Sequence, residues 1–149
     1  MSCLLTPNGD DHPEAAHKHL VDAGVLLAQQ RPDGAGYLSG YVVECALKSL
    51  WLHETGVPLC KAMPWGQRGH ELPYLTAEIA ALATVSGSRT ARYLGSITRN
   101  AGNSAVGSWT PKMRYRPPSM TLGDAEKWFS CARDVFQETV HQMRLDGVI

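Results

Sequence analysis

Glu44 and Lys48 are set into an otherwise apolar run, Gly40-Tyr41-Val42-Val43-Glu44-Cys45-Ala46-Leu47-Lys48. They stand four residues apart with the acid on the N-terminal side, the favourable order for a helical ion pair. On a wet helix face such a pair contributes only about 0.2–0.5 kcal/mol. Ionised groups are rarely buried without partners. In a run this apolar, further polar groups are therefore expected to join the pair, and His70 and Arg114 are the candidates. Four such groups would satisfy one another in the folded chain. Their cluster would be either a ligand site or a lock that fixes helix register.

Arg114-Tyr115-Arg116-Pro117-Pro118 has the composition of an anion grip. Two guanidiniums would hold a phosphate while Tyr115 stacks on a base. The competing structural reading pairs Arg114 with Glu44 or another acid and packs Tyr115 into the end of the fold. His70 suits a general base or a phosphate donor, and equally a loop-bonding cap. Arg89, Arg92 and Arg99 form the densest basic stretch, read as a solvated face or as an RNA-facing patch. Trp51 and Trp128 read as core anchors, whereas Trp65 and Trp109 sit in loops and are expected on contact surfaces.

The 149 residues fit one domain, and a hydrophobic content of 44% is enough for a core. Fourteen basic and fourteen acidic side chains cancel. No global field draws in nucleic acid or an acidic membrane, so any anion site must be local. Cys3, Cys45, Cys60 and Cys131 lack the spacing of a zinc or redox motif, and the six histidines contain no His-x-x-x-His pair. No metal and no cofactor is expected. No apolar run approaches a membrane span. The start, Met1-Ser2-Cys3-Leu4-Leu5, lacks the basic opening of a signal peptide. These features read as a cytoplasmic protein with no membrane partner.

Residues 1–11 read as a flexible arm, and residues 12–149 as a single helical domain. Asp11 or His12 caps a first helix, with Pro13 in its first turn, that ends near Gln30 before Arg31-Pro32-Asp33-Gly34. A second helix is expected from about Ala35 to Thr55, closed by Gly56 and Pro58. It is apolar on more than one face, so it belongs at the centre or at an interface. Gly36 and Gly40 leave room for a neighbour to approach. A third helix opens at Gly69-His70-Glu71-Leu72-Pro73-Tyr74, with Leu72, Leu75, Ile79 and Leu82 as its stripe. A short helix is expected over Arg89–Ile97, and a long loop over 100–120. Thr121 and Asp124 resemble a cap for the last helix, where Ala125, Trp128, Phe129, Ala132, Val135, Phe136, Val140 and Met143 recur at spacings of three and four. The class is all-α, an antiparallel bundle of four main helices with short extra ones.

Three local patterns, taken in order, resemble the HEPN domain family over about residues 13–145. They are Gly40–Lys48 on the second helix, Gly69-His70-Glu71-Leu72 leading the third, and Arg114-Tyr115-Arg116-Pro117 before the last. The resemblance implies an all-α bundle that often forms a homodimer. It implies one of a few roles: a metal-independent endoribonuclease of a toxin or defence system, a partner of a nucleotidyltransferase or antitoxin protein, or a module binding nucleotide or RNA without cutting it. The ribonuclease branch carries an Arg followed by His after four to six residues. Arg would neutralise the scissile phosphate and His would move the proton. No Arg in this chain has a His at that spacing; after Arg99-Asn100 the positions hold Ser104, Ala105 and Val106. Arg133 and His141 come nearest, yet eight helical steps set them ~12 Å apart along the axis and ~80° around it. They would meet only across a dimer. The family resemblance therefore points first to a binding or partner module using Glu44, Lys48, His70, Arg114, Tyr115 and Arg116, and second to a divergent nuclease using Arg133 and His141. A third reading is a purely structural oligomeriser.

Overall fold

The computed structural model describes residues 1–149, and every regular element in it is helical. The longer helices are α1 (His12–Ala28), α2 (Pro32–Thr55), α3 (Leu72–Ala83) and α5 (Leu122–Phe136). A five-residue α4 (Ser96–Asn100) precedes α5. A π-helical segment, Gln137–His141, joins α5 to a last turn, α6 (Gln142–Leu145). No helix is long and apolar enough to cross a membrane.

Local chemistry accounts for the boundaries. Asp11 caps α1 by accepting the Glu14 amide, and Pro13 occupies the first turn where no amide is needed. The chain leaves α1 through Gln30 at φ +56°, a left-handed residue of the kind that ends helices. Arg31-Pro32-Asp33-Gly34 is not the free turn that its composition suggested. Pro32 is the first residue of α2, because its fixed φ is already helical. Gly56 ends α2 at φ +83°. Thr121 caps α5 through the Asp124 amide at 3.1 Å, as its spacing indicated.

Of the second helix, fifteen of twenty-four residues are buried, and α2 packs against α1, α3 and α5. The core gathers Val42, Val43, Leu47 and Leu50 of α2 with Leu72, Leu75 and Ile79 of α3, Val135 and Phe136 of α5, and Val140 of the π segment. The first eleven residues lie against this body. Leu4 and Thr6 are buried, and Ser2 donates to Asp11 from both its amide and its hydroxyl.

Between Thr84 and Thr121 the chain departs from the sequence expectation. The helix over Arg89–Ile97 is instead a 3-10 turn at Ala91–Tyr93 followed by α4. Tertiary acceptors decide this. Glu54 of α2 takes the Thr90 amide and hydroxyl, each at 2.8 Å, and Glu138 of the π segment takes the Thr98 amide at 2.8 Å and hydroxyl at 2.7 Å. The expected loop over 100–120 contains 3-10 turns at Ala101–Asn103, Ala105–Ser108 and Pro111–Tyr115.

Candidate functional site

One edge of α2 carries polar side chains from Asp33 to Lys48. Asp33, Tyr37, Tyr41, Glu44 and Lys48 follow at steps of four, four, three and four, so they line up on one face. Near the C-terminal end of that line, Lys48 Nζ donates to Glu44 Oε1 at 2.7 Å. His70, delivered by the turn before α3, brings Nδ1 to 2.8 Å from Glu44 Oε2. A carboxylate only accepts, so the imidazole donates from Nδ1. Both Glu44 oxygens are therefore engaged. Glu44 is 3% exposed and Lys48 6%, whereas the His70 side chain is 57% exposed. Lys48 also lies 4.9 Å from the centre of the Trp65 ring, a cation–π contact in a dry setting.

Three of the four expected members thus meet, and Arg114 does not. Arg114 makes no ion pair with Glu44; it stands on the other side of the Tyr37–Tyr41 pair, whose hydroxyls are 3.1 Å apart. There Arg114 and Arg116 border a cavity of about 230 Å³ walled by Asp33, Tyr37, Met113, Pro117, Pro118 and Ser119. Both arginines are exposed, and neither has an acidic partner within ion-pair distance. Tyr115 is 77% exposed, with Arg114 4.9 Å from its ring centre. It does not fill the end of the fold.

Trp65 and Trp109 are buried rather than displayed. A side chain at Gly69 would run into the Trp65 indole, and one at Gly40 into that of Trp109. Gly40 therefore admits an indole from a loop where a neighbouring helix was expected. Trp109 Nε1 donates to the Tyr37 carbonyl at 2.9 Å, which ties the segment carrying Arg114 and Arg116 to α2.

The other expected basic groups are separately engaged. Arg89 donates to the Glu54 carbonyl at 2.8 Å, Arg92 pairs with Asp146 at 2.9 Å, and Arg99 donates to the Leu94 carbonyl at 3.4 Å. Arg133 lies on the exposed side of α5, bonded to Asp134 and Ser130. His141 closes the π segment and is half-buried. The two make no hydrogen bond to each other, and the π segment turns His141 off the straight α-helical path.

His12 enters the sequence reading only as a candidate helix cap and His19 not as a site residue, yet both line a second cavity, of about 610 Å³, with Tyr41, Glu44 and Lys18. The signal missed was the spacing of Tyr37, Tyr41 and Glu44 at steps of four and three, which points the polar edge of α2 at α1. His12 packs edge-on against Trp65, with ring centres 5.3 Å apart, and its Nε2 has no hydrogen-bond partner. Burial, reinforced by the charge of Lys48, pulls its pKa down to about 4. A histidine whose folded pKa is depressed adds stability above its unfolded pKa, near 6.5, and loses it as pH falls toward 4. Going from pH 7 to pH 5 should thus cost about 2 kcal/mol through His12. His19 and His53, also depressed by burial, add losses of the same sign, so urea unfolding at the two pH values should show a loss larger in the natural chain than in His12→Phe; equal losses in both would assign the effect elsewhere.

Tyr41 stays protonated, its phenol pKa raised by burial and by the hydrogen bond with Tyr37. No three His, Cys, Asp or Glu side chains converge as a metal site would require. No family model matches this chain, and comparison with curated proteins and with solved structures found no similar protein.

Proposed function

We propose that this chain is a HEPN-like binding module whose ligand is a nucleotide, held through its phosphate by Arg114 and Arg116 with Tyr115 alongside. The observation that carries this reading is the pair of exposed guanidiniums, without acidic partners, at the rim of a cavity. Arginine is suited to phosphate by its planar fork of donors. An unpaired guanidinium forfeits no existing ion pair when an anion arrives. The Glu44–Lys48–His70 cluster serves in this reading as the lock that holds α2 and α3 in register, since its charges are already spent on each other. The longer helices are read as the four members of an antiparallel HEPN-like bundle. The protein would work in the cytoplasm as a homodimer, within a toxin–antitoxin, defence or nucleotidyltransferase-linked system.

A melting-temperature screen tests this. A nucleotide at a hundred times its Kd should raise Tm by about 5–10 °C for a chain of this size. Arg114→Ala should remove most of that rise while leaving the unliganded Tm within a degree or two, because the side chain forms no ion pair and the Tyr115 ring it lies over is itself exposed. No rise with any nucleotide would end the reading. Incubation with mixed RNA in EDTA runs beside it. Cleavage lost in Arg133→Ala or His141→Ala would establish the nuclease alternative in its place.

A further inference from the structure

Asp33 sits where the arginine cavity meets the start of α2, and its carboxylate is only half used. Oδ1 accepts the backbone amides of Ser119 at 2.9 Å and Met120 at 3.1 Å, which pins the chain after Pro117-Pro118 against α2. Oδ2 accepts no hydrogen bond from the protein and forms no ion pair, although Arg114 and Arg116 line the same cavity. The cavity, at about 230 Å³, is smaller than the ~300–1,000 Å³ typical for a drug-sized ligand. It suits one ring system rather than a whole nucleotide. Its walls are apolar at Met113, Pro117 and Pro118, which suits the flat faces of a base, and its acceptor is a single charged oxygen. Arg114 and Arg116 stand at its mouth, where a phosphate attached to that base would remain in solvent.

We infer that the cavity selects guanine nucleotides, with Asp33 Oδ2 accepting from the base edge while the phosphate rests on Arg114 and Arg116. This rests on the nucleotide reading above and adds the identity of the base. Guanine is the base whose pairing edge offers two adjacent donors, the ring N1–H and the 2-amino group. A carboxylate oxygen has two lone pairs to receive them. Adenine and cytosine each place a ring acceptor beside their amino donor, and uracil flanks its single N–H with two carbonyls. Each would set a lone pair against the negative charge of Asp33. Asp33 is half-buried, and a charged acceptor still discriminates, because the wrong base sets a lone pair against it and leaves it unpaired.

Titration calorimetry with GMP, IMP, AMP and UMP tests this on the natural chain, and a short unpaired oligonucleotide containing one guanosine separates free nucleotide from RNA as the source. GMP should bind about ten- to a hundredfold more tightly than AMP or UMP, and IMP, which lacks the 2-amino group, should fall between. Asp33→Asn is the matched variant. Its amide oxygen still accepts from Ser119 and Met120, so the turn is retained, while a donor replaces the free oxygen. It should reduce the GMP preference about tenfold or more and leave AMP and UMP no weaker. If all four nucleotides bind equally and Arg114→Ala still abolishes binding, the nucleotide reading stands and guanine selection falls. If Asp33→Asn strengthens every nucleotide alike, Asp33 is only an acid competing for the two guanidiniums, and the inference also falls. If no nucleotide binds at all, both readings fall together.

Discussion

Replacing Glu44 with Ala should cost the fold about 3–5 kcal/mol. The loss is large because of what remains behind. Lys48 is 6% exposed, so removing its only carboxylate strands an ammonium against the face of Trp65 without a counter-charge. The stranded ion, more than the lost bond, sets the magnitude. Lys48→Met should be milder. It leaves the buried carboxylate still accepting from His70 Nδ1, so the charge that remains keeps a hydrogen-bond partner. The double variant Glu44→Leu with Lys48→Met should come close to the natural stability or exceed it, because replacing both charges with apolar groups removes the desolvation cost of each. It should also retain nucleotide binding, since Arg114 lies beyond Tyr37 and Tyr41 from this cluster. Urea unfolding of the three variants checks the order. A loss under about 1 kcal/mol in Glu44→Ala would mean that the pair is solvated after all and behaves like an ordinary surface contact.

The sequence disclosed this cluster better than it disclosed the cavity beside it. An acid and a base four apart inside an apolar run can be read directly, because burial of charge is improbable without compensation. His70 could be nominated as a partner because it precedes a helix start. Arg114 was nominated on the same logic and stands elsewhere, since nothing local records on which side of the Tyr37–Tyr41 pair a loop will settle. The caps of α1 and α5 were legible because Asp11 and Thr121 act on amides three residues away. The segment from Thr84 to Thr121 was not, because its turns are shaped by Glu54 and Glu138, carboxylates some forty positions distant in the chain. Pro32 misled for a different reason: the same residue type that opens turns also opens helices. Asp33, the residue on which the proposed base selection rests, looked like one member of that turn. Its role depends on two amides, at Ser119 and Met120, that only the folded chain brings to it.

Trp109 is the second residue whose loss should be felt strongly. Its indole is 3% exposed, lies over Gly40, meets the Tyr41 ring edge-on with centres 4.7 Å apart, and donates to the Tyr37 carbonyl. Trp109→Ala should therefore cost about 3–5 kcal/mol, as for other large buried aromatics. The same contact predicts the effect of Gly40→Ala, which on helix propensity alone would stabilise α2 by about 1 kcal/mol. The added methyl group would occupy space the indole already fills. The ring must shift or the helix must bend, and overpacking of this kind costs about 1–3 kcal/mol. The two changes should not add. With the indole gone, the methyl group introduced by Gly40→Ala enters the vacated space, so the double variant should be more stable than the sum of the single losses implies by about 1 kcal/mol or more. Additivity within about 0.3 kcal/mol would show that the ring and the glycine are not in contact. The cycle also reports on the site. Arg114 and Arg116 reach their cavity through a segment that Trp109 fastens to α2, so both single variants should weaken nucleotide binding even under conditions where each remains folded. Unchanged affinity in folded Trp109→Ala would mean that the guanidiniums are positioned without that anchor, and that the 3-10 turn at Pro111–Tyr115 holds them by itself.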